Sequence, residues 1–500
     1  MRSHSSRMRI VFAAVTIITT VPFLFTFFHV KLTDGLSIVP LPERPFFYEH
    51  DPEPAGREDE DGDDDTAGST RDYRLLTSIR NNLGFYNKVN VKKTGYKIMN
   101  PTLLELPRDS HSRHEFLVIA RTLHVDTTIN GTDYRLARQV AMFANLTHNK
   151  LGRPEIKSNN KWAKLLVPEF AGPEHHCQNQ PLMDRYIGPE DMKLFWTRRR
   201  EPLLIFTYQV DDENLCQGQF LIDARAAVPE LVRVLGAEYA SKMPPIRFRE
   251  PVGLRRQPPP GHESYARYQR EKNWAPAQSP LSSDDDELLF MVEPGQMFRY
   301  ASSHSPVEEV LVGANSQQSA VEPPYPLGAS PDETWHSVHK MTCVHDVMLS
   351  DHNVHQSTPM LGLTLCNRGE CEPDDTNTVM LGMVQRRHDP PTAPYTWYDR
   401  RIVAYSAAQP YRMLSVSKKL SYHGEVNGKY IWTGSMIYYA NGTDFPSNHG
   451  YLDDEIWLSF GIEDSAAGWM DIKARELVAD HYLCQGVPEE YRQHRLNITG

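Results

Sequence analysis

Gly188-Pro189-Glu190-Asp191-Met192-Lys193-Leu194-Phe195-Trp196 runs into Thr197-Arg198-Arg199-Arg200-Glu201 and then Pro202-Leu203-Leu204-Ile205-Phe206. It reads as a turn, an acidic pair, a strand, a basic hairpin and a second strand. Apolar, β-branched and aromatic residues fill the two runs, and Gly, Pro and charge bound them. Similar short runs recur on both sides. They are Phe116 to Arg121, Leu203 to Val210, Leu289 to Val292, Met380 to Val384, Ile402 to Ala407, Tyr430 to Ala440 and Ile456 to Ile462. Helical spacing is seen only in Tyr134 to Asn145, Ala226 to Leu235 and Asp471 to Ala479. Strands spread over about 400 residues, joined by connections of about 10–40, suit a β-propeller better than a sandwich. The expected fold class is therefore mostly β, with strands as short sheets around an axis. No internal repeat is readable.

Working outward, residues 249–286 break the pattern with Pro258-Pro259-Pro260-Gly261 and Ser282-Ser283-Asp284-Asp285-Asp286. They read as a disordered surface insertion within a body spanning 73–500. Residues 31–72 read as an acidic, self-repelling stem. Glu49 to Asp65 hold ten acids and one Arg, so most of the chain's net charge of −11 is local. What remains is near neutral, and nothing basic enough to bind nucleic acid is left. Ile10 to Val30 is an uncharged run of 21 residues, long enough at about 1.5 Å per residue to cross the hydrocarbon layer of a lipid bilayer. Arg2, Arg7 and Arg9 precede it, which leaves residues 1–9 as a cytosolic tail and the body in the lumen. A long, cleaved signal peptide is the alternative, with the same delivery. All six cysteines and four N-x-S/T sequons, at Asn130, Asn145, Asn441 and Asn497, lie beyond this run. Both features fit an oxidising, glycosylating compartment. Cys366 and Cys371 are the easiest pair to join across a turn, and no C-x-x-C pair supports zinc.

Chemistry-bearing residues fall in a few places. Glu190 and Asp191 would point to opposite faces of an extended strand, so only one would reach a pocket. In Leu452 to Trp469, Asp453, Asp454 and Glu455 enter an apolar strand that exits at Glu463 and Asp464. Close, ionised carboxylates would repel, raising one pKa or holding a cation. A solvated turn is the bland reading of both acidic groups. Five His lie between His336 and His355, but without helical pairing they make a poor metal site; His345 and Asp346 remain candidate substrate contacts. No G-x-S-x-G elbow, Walker loop or G-x-G-x-x-G loop occurs.

The Glu190-Asp191 segment resembles carbohydrate-active propellers whose blade carries Glu-Asp-Pro-Arg, as in the β-mannoside phosphorylases. Met192 and Lys193 stand in the Pro-Arg places, so the cation is kept but the planar fork is lost. Arg121, closing Phe116 to Arg121, resembles the first-blade Arg of such propellers. The Leu452 to Gly461 segment resembles their final blade. Joined to the layout of tail, anchor, stem and luminal body, these segments look like the fungal β-mannosyltransferase family. That resemblance implies five blades, a Golgi type II membrane protein, and transfer of mannose from a nucleotide-sugar donor, GDP-mannose, to a glycan acceptor with inversion. Implied bases are Glu190 or Asp191, with Asp453 or Asp454 as rivals. Arg121, Lys193 and Arg198 would meet phosphate, and His345, Asp346, Glu455 and Asp464 the sugars. No cofactor is required; a divalent metal is compatible but not demanded, since Asp284-Asp285-Asp286 sits in the insertion. Two alternatives remain: a glycoside hydrolase or phosphorylase acting on mannosides, and a non-catalytic anchored glycan-binding propeller.

Overall fold

The long apolar runs form strands with both faces covered. Ile431–Tyr438 is buried at every position and Glu455–Ile462 at all but its two ends. A strand packed between two sheets loses the in–out alternation of a half-exposed one. A computed structural model describes residues 73–91, 97–169, 184–212, 215–254, 271–293, 296–300, 307–310, 354–388, 396–426, 429–440 and 447–484. The expected tail, membrane span and stem lie outside the described residues, as do His345 and Asp346. Among the described residues no helix is long and apolar enough to cross a membrane.

The described residues are mostly β, in antiparallel meanders. The first runs through Ile98–Glu105, Phe116–Thr122, Gln139–His148 and Pro154–Ala163. The second is Glu190–Trp196, Pro202–Asp212, Leu215–Asp223 and Val252–Leu254. The third is Ala275–Ala277, Leu289–Glu293, Gln296–Tyr300 and Val307–Val310. The fourth is Leu361–Thr364, Thr378–His388, Trp397–Ser406 and Met413–Ser417, with Val354–Gln356 beside its second strand. The last is Ile431–Tyr438, Glu455–Ile462 and Ala466–Lys473. Its outer strand comes from the other end of the body: Asn87–Asn90 pairs with Ala466–Lys473 and, on its far side, with Pro154–Ala163 of the first meander.

Neighbouring meanders touch in sequence order and the last meets the first, which makes the arrangement propeller-like. Leu194 N–H donates to Thr102 Oγ1 at 2.8 Å, and Trp196 Nε1 to the Glu105 carbonyl at 2.8 Å. Arg198 N–H donates to Gln278 Oε1 at 2.7 Å, Met360 N–H to the Pro276 carbonyl at 2.8 Å, and Gln385 Nε2 to the Thr433 carbonyl at 3.0 Å. Ser459 Oγ, in the last meander, closes on the Pro101 carbonyl at 2.6 Å. Apolar clusters fill the interfaces. Leu117, Leu194 and Phe206 share one; Ile205, Trp274 and Phe290 another; Phe116, Trp457 and Trp469 a third.

Three expectations change. Tyr134 to Asn145, read as a helix, is the end of Thr132–Leu136 and most of Gln139–His148. Its run Ala141 to Ala144 is buried on both sides, and doubly covered strands and helices share that pattern of apolar residues. Of Asp471 to Ala479, the first three residues finish a strand and only Ala474–Leu477 turn, as a 3₁₀ helix. The described parts of 249–286 contain Val252–Leu254 and Ala275–Ala277, ladder strands of two meanders, so this stretch is not loop alone. The helical reading near Ala226 to Leu235 agrees with the helices Ala224–Ala227 and Glu230–Leu235.

Antiparallel order sorts the residues by end. Starts of first strands and exits of second strands share one end; Glu105, closing a first strand, lies at the other. Its side chain is 3% exposed and its Oε2 accepts the Ala440 N–H at 2.7 Å. Burial raises its pKa from 4.5 to about 8, against a weaker pull from Arg108. A carboxyl raised in the folded state stabilises fully below its unfolded pKa, and that contribution is lost as pH rises to about 8. Glu105→Gln can still accept from Ala440, so its stability should decline less than the parent's between pH 4.5 and 8. Urea midpoints across pH test this; superimposable profiles would refute it.

Candidate functional site

The Glu190-Asp191 pair is set by backbone geometry. Gly188, at φ +94°, enters the strand so closely that a Cβ would lie 2.3 Å from the Ala137 carbonyl oxygen. Gln139 Nε2 holds the Pro189 carbonyl at 2.9 Å. Asp191 has φ +49°, and the ladder register shifts between Glu190 and Lys193. A left-handed residue in a bulge breaks strand alternation. The strict alternation behind the expectation that only one of the two acids could serve a pocket is thus absent here, and both Glu190 and Asp191 act electrostatically on Asp464.

Four meanders supply the surrounding charges. Arg121, near the exit of Phe116–Thr122, sets Nη2 2.9 and 3.2 Å from the two ring nitrogens of His124. The His124 Nε2 lies 4.0 Å from Glu190 Oε1. Burial alone would raise the Glu190 pKa, but the His124 hydrogen bond and the charges of Arg121 and Lys272 outweigh it and hold the pKa down at about 2. Lys193 is 1% exposed; burial lowers its pKa to about 8, with Asp191 opposing and Lys272 adding to the drop. Asp464, at φ +47° beyond the strand Glu455–Ile462, moves the other way. Burial raises it, Asp191 and Glu190 add to the rise, and Arg121 and His124 oppose it. Among the described residues, the buried Asp464 Oδ1 and Arg121 Nε find no hydrogen-bond partner. Buried polar atoms are rarely left so, and in a cluster of opposed charges such atoms suit a ligand. Tyr430, raised by burial and by Tyr398, Asp464 and Asp191, brings an aromatic edge; its ring lies 5.1 Å from Tyr398.

Of the residues singled out in the sequence, Arg121, Glu190, Asp191, Lys193 and Asp464 converge here. Asp453, Asp454, Glu455 and Arg198 do not. The strand Glu455–Ile462 separates Asp454 from Asp464 by about 25 Å of extended chain. Asp453 Oδ1 accepts the Arg368 N–H at 2.8 Å, and Asp454 Oδ2 pairs with the Arg368 guanidinium at 2.6 Å. Glu455 takes two bonds from Arg80, at 2.6 and 2.7 Å. Arg198 pairs with Asp285 at 2.9 Å and caps the Ser282 carbonyl at 2.6 Å. These side chains serve turns and seams between sheets. Asp285 and Asp286 lie half-open to solvent beside Arg198, Arg199 and Arg247. Among the described residues no group of three His, Cys, Asp or Glu could hold a metal. Cys366 and Cys371 form a disulfide. His124, Lys272 and Tyr430 were missed. His124 follows Arg121 by three positions and Tyr430 opens an apolar run, but Lys272 lies in the segment read as insertion and offers no signal.

No protein-family profile matches the sequence, and no curated protein matches it. Solved structures do. A mannose phosphorylase from Leishmania mexicana in complex with phosphate is 12% identical, with 80% of this chain and 89% of that one covered, at a TM-score of 0.33. A putative glycosidase from Bacteroides thetaiotaomicron is 9% identical over 80% and 93%, at 0.40. An α-L-arabinofuranosidase from Podospora anserina, in complex with cellotriose, is 10% identical over 78% and 96%, at 0.32. This chain is similar to them in fold, and such scores assign it no activity. They do run against the glycosyltransferase expected from the sequence: the similar structures are a phosphorylase and glycosidases, not glycosyltransferases. That expectation is corrected here.

The cluster makes its own prediction. Glu190, depressed to about 2, stabilises the fold fully above the unfolded value of 4.5, and the contribution is lost as pH falls toward 2. Arg121→Met should remove part of that acid-dependent loss and lower stability near neutrality by about 1 kcal/mol, since His124 and Lys272 remain beside the half-buried carboxylate. Chemical unfolding at pH 3 and pH 7 reads both; an unchanged pH dependence would refute the pairing.

Proposed function

We propose that the chain is a five-bladed carbohydrate-active propeller that cleaves glycosidic bonds, with its site at the end of the sheets holding Glu190, Asp191 and Asp464. The carrying observation is that three carboxylates and three cations, Arg121, Lys193 and Lys272, meet there from the first, second and last meanders and from the approach to the third. Two of the acids have pKa values driven apart, Glu190 down and Asp464 up. Opposed pKa shifts in one site are how two carboxylates take different roles.

In this reading Asp464 donates its proton to the leaving oxygen as the C1–O bond breaks. Glu190 stays ionised and faces the positive charge developing on the ring. Asp191 takes the proton of an incoming water as its oxygen bonds to C1. Arg121, Lys193 and Lys272 hold sugar hydroxyls, and Tyr430 offers a ring face or hydroxyl. Phosphorolysis is the second reading, favoured by the same cations: with Asp464 protonated, they outnumber the remaining carboxylates. A phosphate oxygen would then bond to C1 and no base would be needed.

The full chain incubated with β-mannosides and other oligosaccharides, with and without inorganic phosphate, separates the two. Free sugar independent of phosphate means hydrolysis; a sugar 1-phosphate formed only with phosphate means phosphorolysis. Asp464→Asn should lower kcat by about 10²–10⁴-fold on unactivated substrates, and much less on substrates whose leaving group needs no proton. Equal losses on both kinds would remove Asp464 from the acid role, and no turnover on any glycan would sink the proposal.

A further inference from the structure

Two sequons lie among the described residues, and the fold treats them in opposite ways. Asn130-Gly131-Thr132 forms the tip of a hairpin between Val125–Ile129 and Thr132–Leu136, inserted in the first meander. Asn130 and Gly131 have φ of +51° and +80°, the left-handed pair that a two-residue hairpin turn demands and that Asn-Gly meets at low cost. Both are exposed, and a Cβ built on Gly131 would meet nothing within 4 Å. The Asn130 amide therefore stands where a bulky oligosaccharide can extend into solvent.

Asn145 sits inside Gln139–His148, in ladder register with Lys157. Its Oδ1 accepts the Glu115 N–H at 2.9 Å, while Leu146 N–H donates to Glu115 Oε2 at 2.6 Å. The Oδ1 bond fixes the orientation of the planar carboxamide, so a sugar on Nδ2 would have to be accommodated against this partly buried face of the sheet. Asn441 and Asn497 lie outside the described residues.

We propose that Asn130 is an acceptor of an N-linked oligosaccharide and that Asn145 is not. The inference is independent of the catalytic reading and rests on delivery of the body to the secretory lumen. The full chain, made in a eukaryotic secretory host, is treated with an N-glycan-releasing amidase in heavy-oxygen water, and its peptides are analysed by mass spectrometry. Heavy-oxygen aspartate is expected at position 130 in most molecules and at position 145 in essentially none. Thr132→Ala, which destroys the sequon while leaving the left-handed Asn130 in place, should remove one glycan step in electrophoretic mobility. Thr147→Ala should remove none. Occupancy at Asn145, or an unmodified Asn130, would overturn the proposal.

Discussion

Keeping one half-buried carboxylate ionised constrains much of this structure. Glu190, largely withdrawn from water, retains its charge because cations surround it, since burying a lone charge costs far more than burying a neutral acid. Arg121, His124 and Lys272 come from the first meander, from the segment after its second strand and from the approach to the third. Their meeting requires the sheets to be held in fixed relation. The hydrogen bonds between inner strands, Leu194 to Thr102 and Trp196 to Glu105 among them, supply that registration. The strand Asn87–Asn90, which joins the last sheet to the first, resists the ring's opening. The charge cluster is thus a consequence of closure.

The two ends of the same strands show what the cluster is not. At the Glu105 end, acids and bases are matched in direct pairs: Asp454 with Arg368, Glu455 with Arg80, Asp286 with Arg199. Such pairs satisfy turns and seams and add little beyond geometry where they face solvent. Around Glu190 the contacts are longer, although Lys429 pairs with Glu463 at 3.1 Å next to Asp464. His124 stands 4.0 Å from Glu190, and Lys193 reaches the Asp191 carbonyl at 3.5 Å. Among the described residues, the buried Asp464 Oδ1 and Arg121 Nε have no hydrogen-bond partner there.

The strands were legible because covered runs such as Tyr430 to Ala440 carry a composition that few other structures use. The helix expected at Tyr134 to Asn145 failed for the same reason: Ala141 to Ala144 are covered on both faces, and coverage erases the periodicity that separates strand from helix. Five of the site residues were legible through motif-like placement at strand ends. Asp453 and Asp454 share that placement, because an acidic turn opening a strand looks alike at either end of a propeller. Which end faces the chemistry is a property of strand direction around the ring, and local sequence does not encode it. His124 and Lys272 were illegible because their importance arises only from distance to Glu190.

A further consequence concerns Asp191. In an unbroken strand it would turn away from Glu190. Its left-handed backbone, with the bulge to Lys193, brings a second carboxylate to bear on Asp464 at a conformational cost. Asp464 itself is left-handed, as is Glu463 before it. Non-glycine residues in that region are uncommon, and here two of the three carboxylates occupy it. The same carboxylates also strain the electrostatics, since Asp191 and Glu190 both resist ionisation of Asp464. Folding tolerates backbone strain and like-charge crowding at one point only when surrounding packing overdetermines it. The buried inner strands provide that packing, and the combination gives the Asp464 end a chemical character that the opposite end lacks.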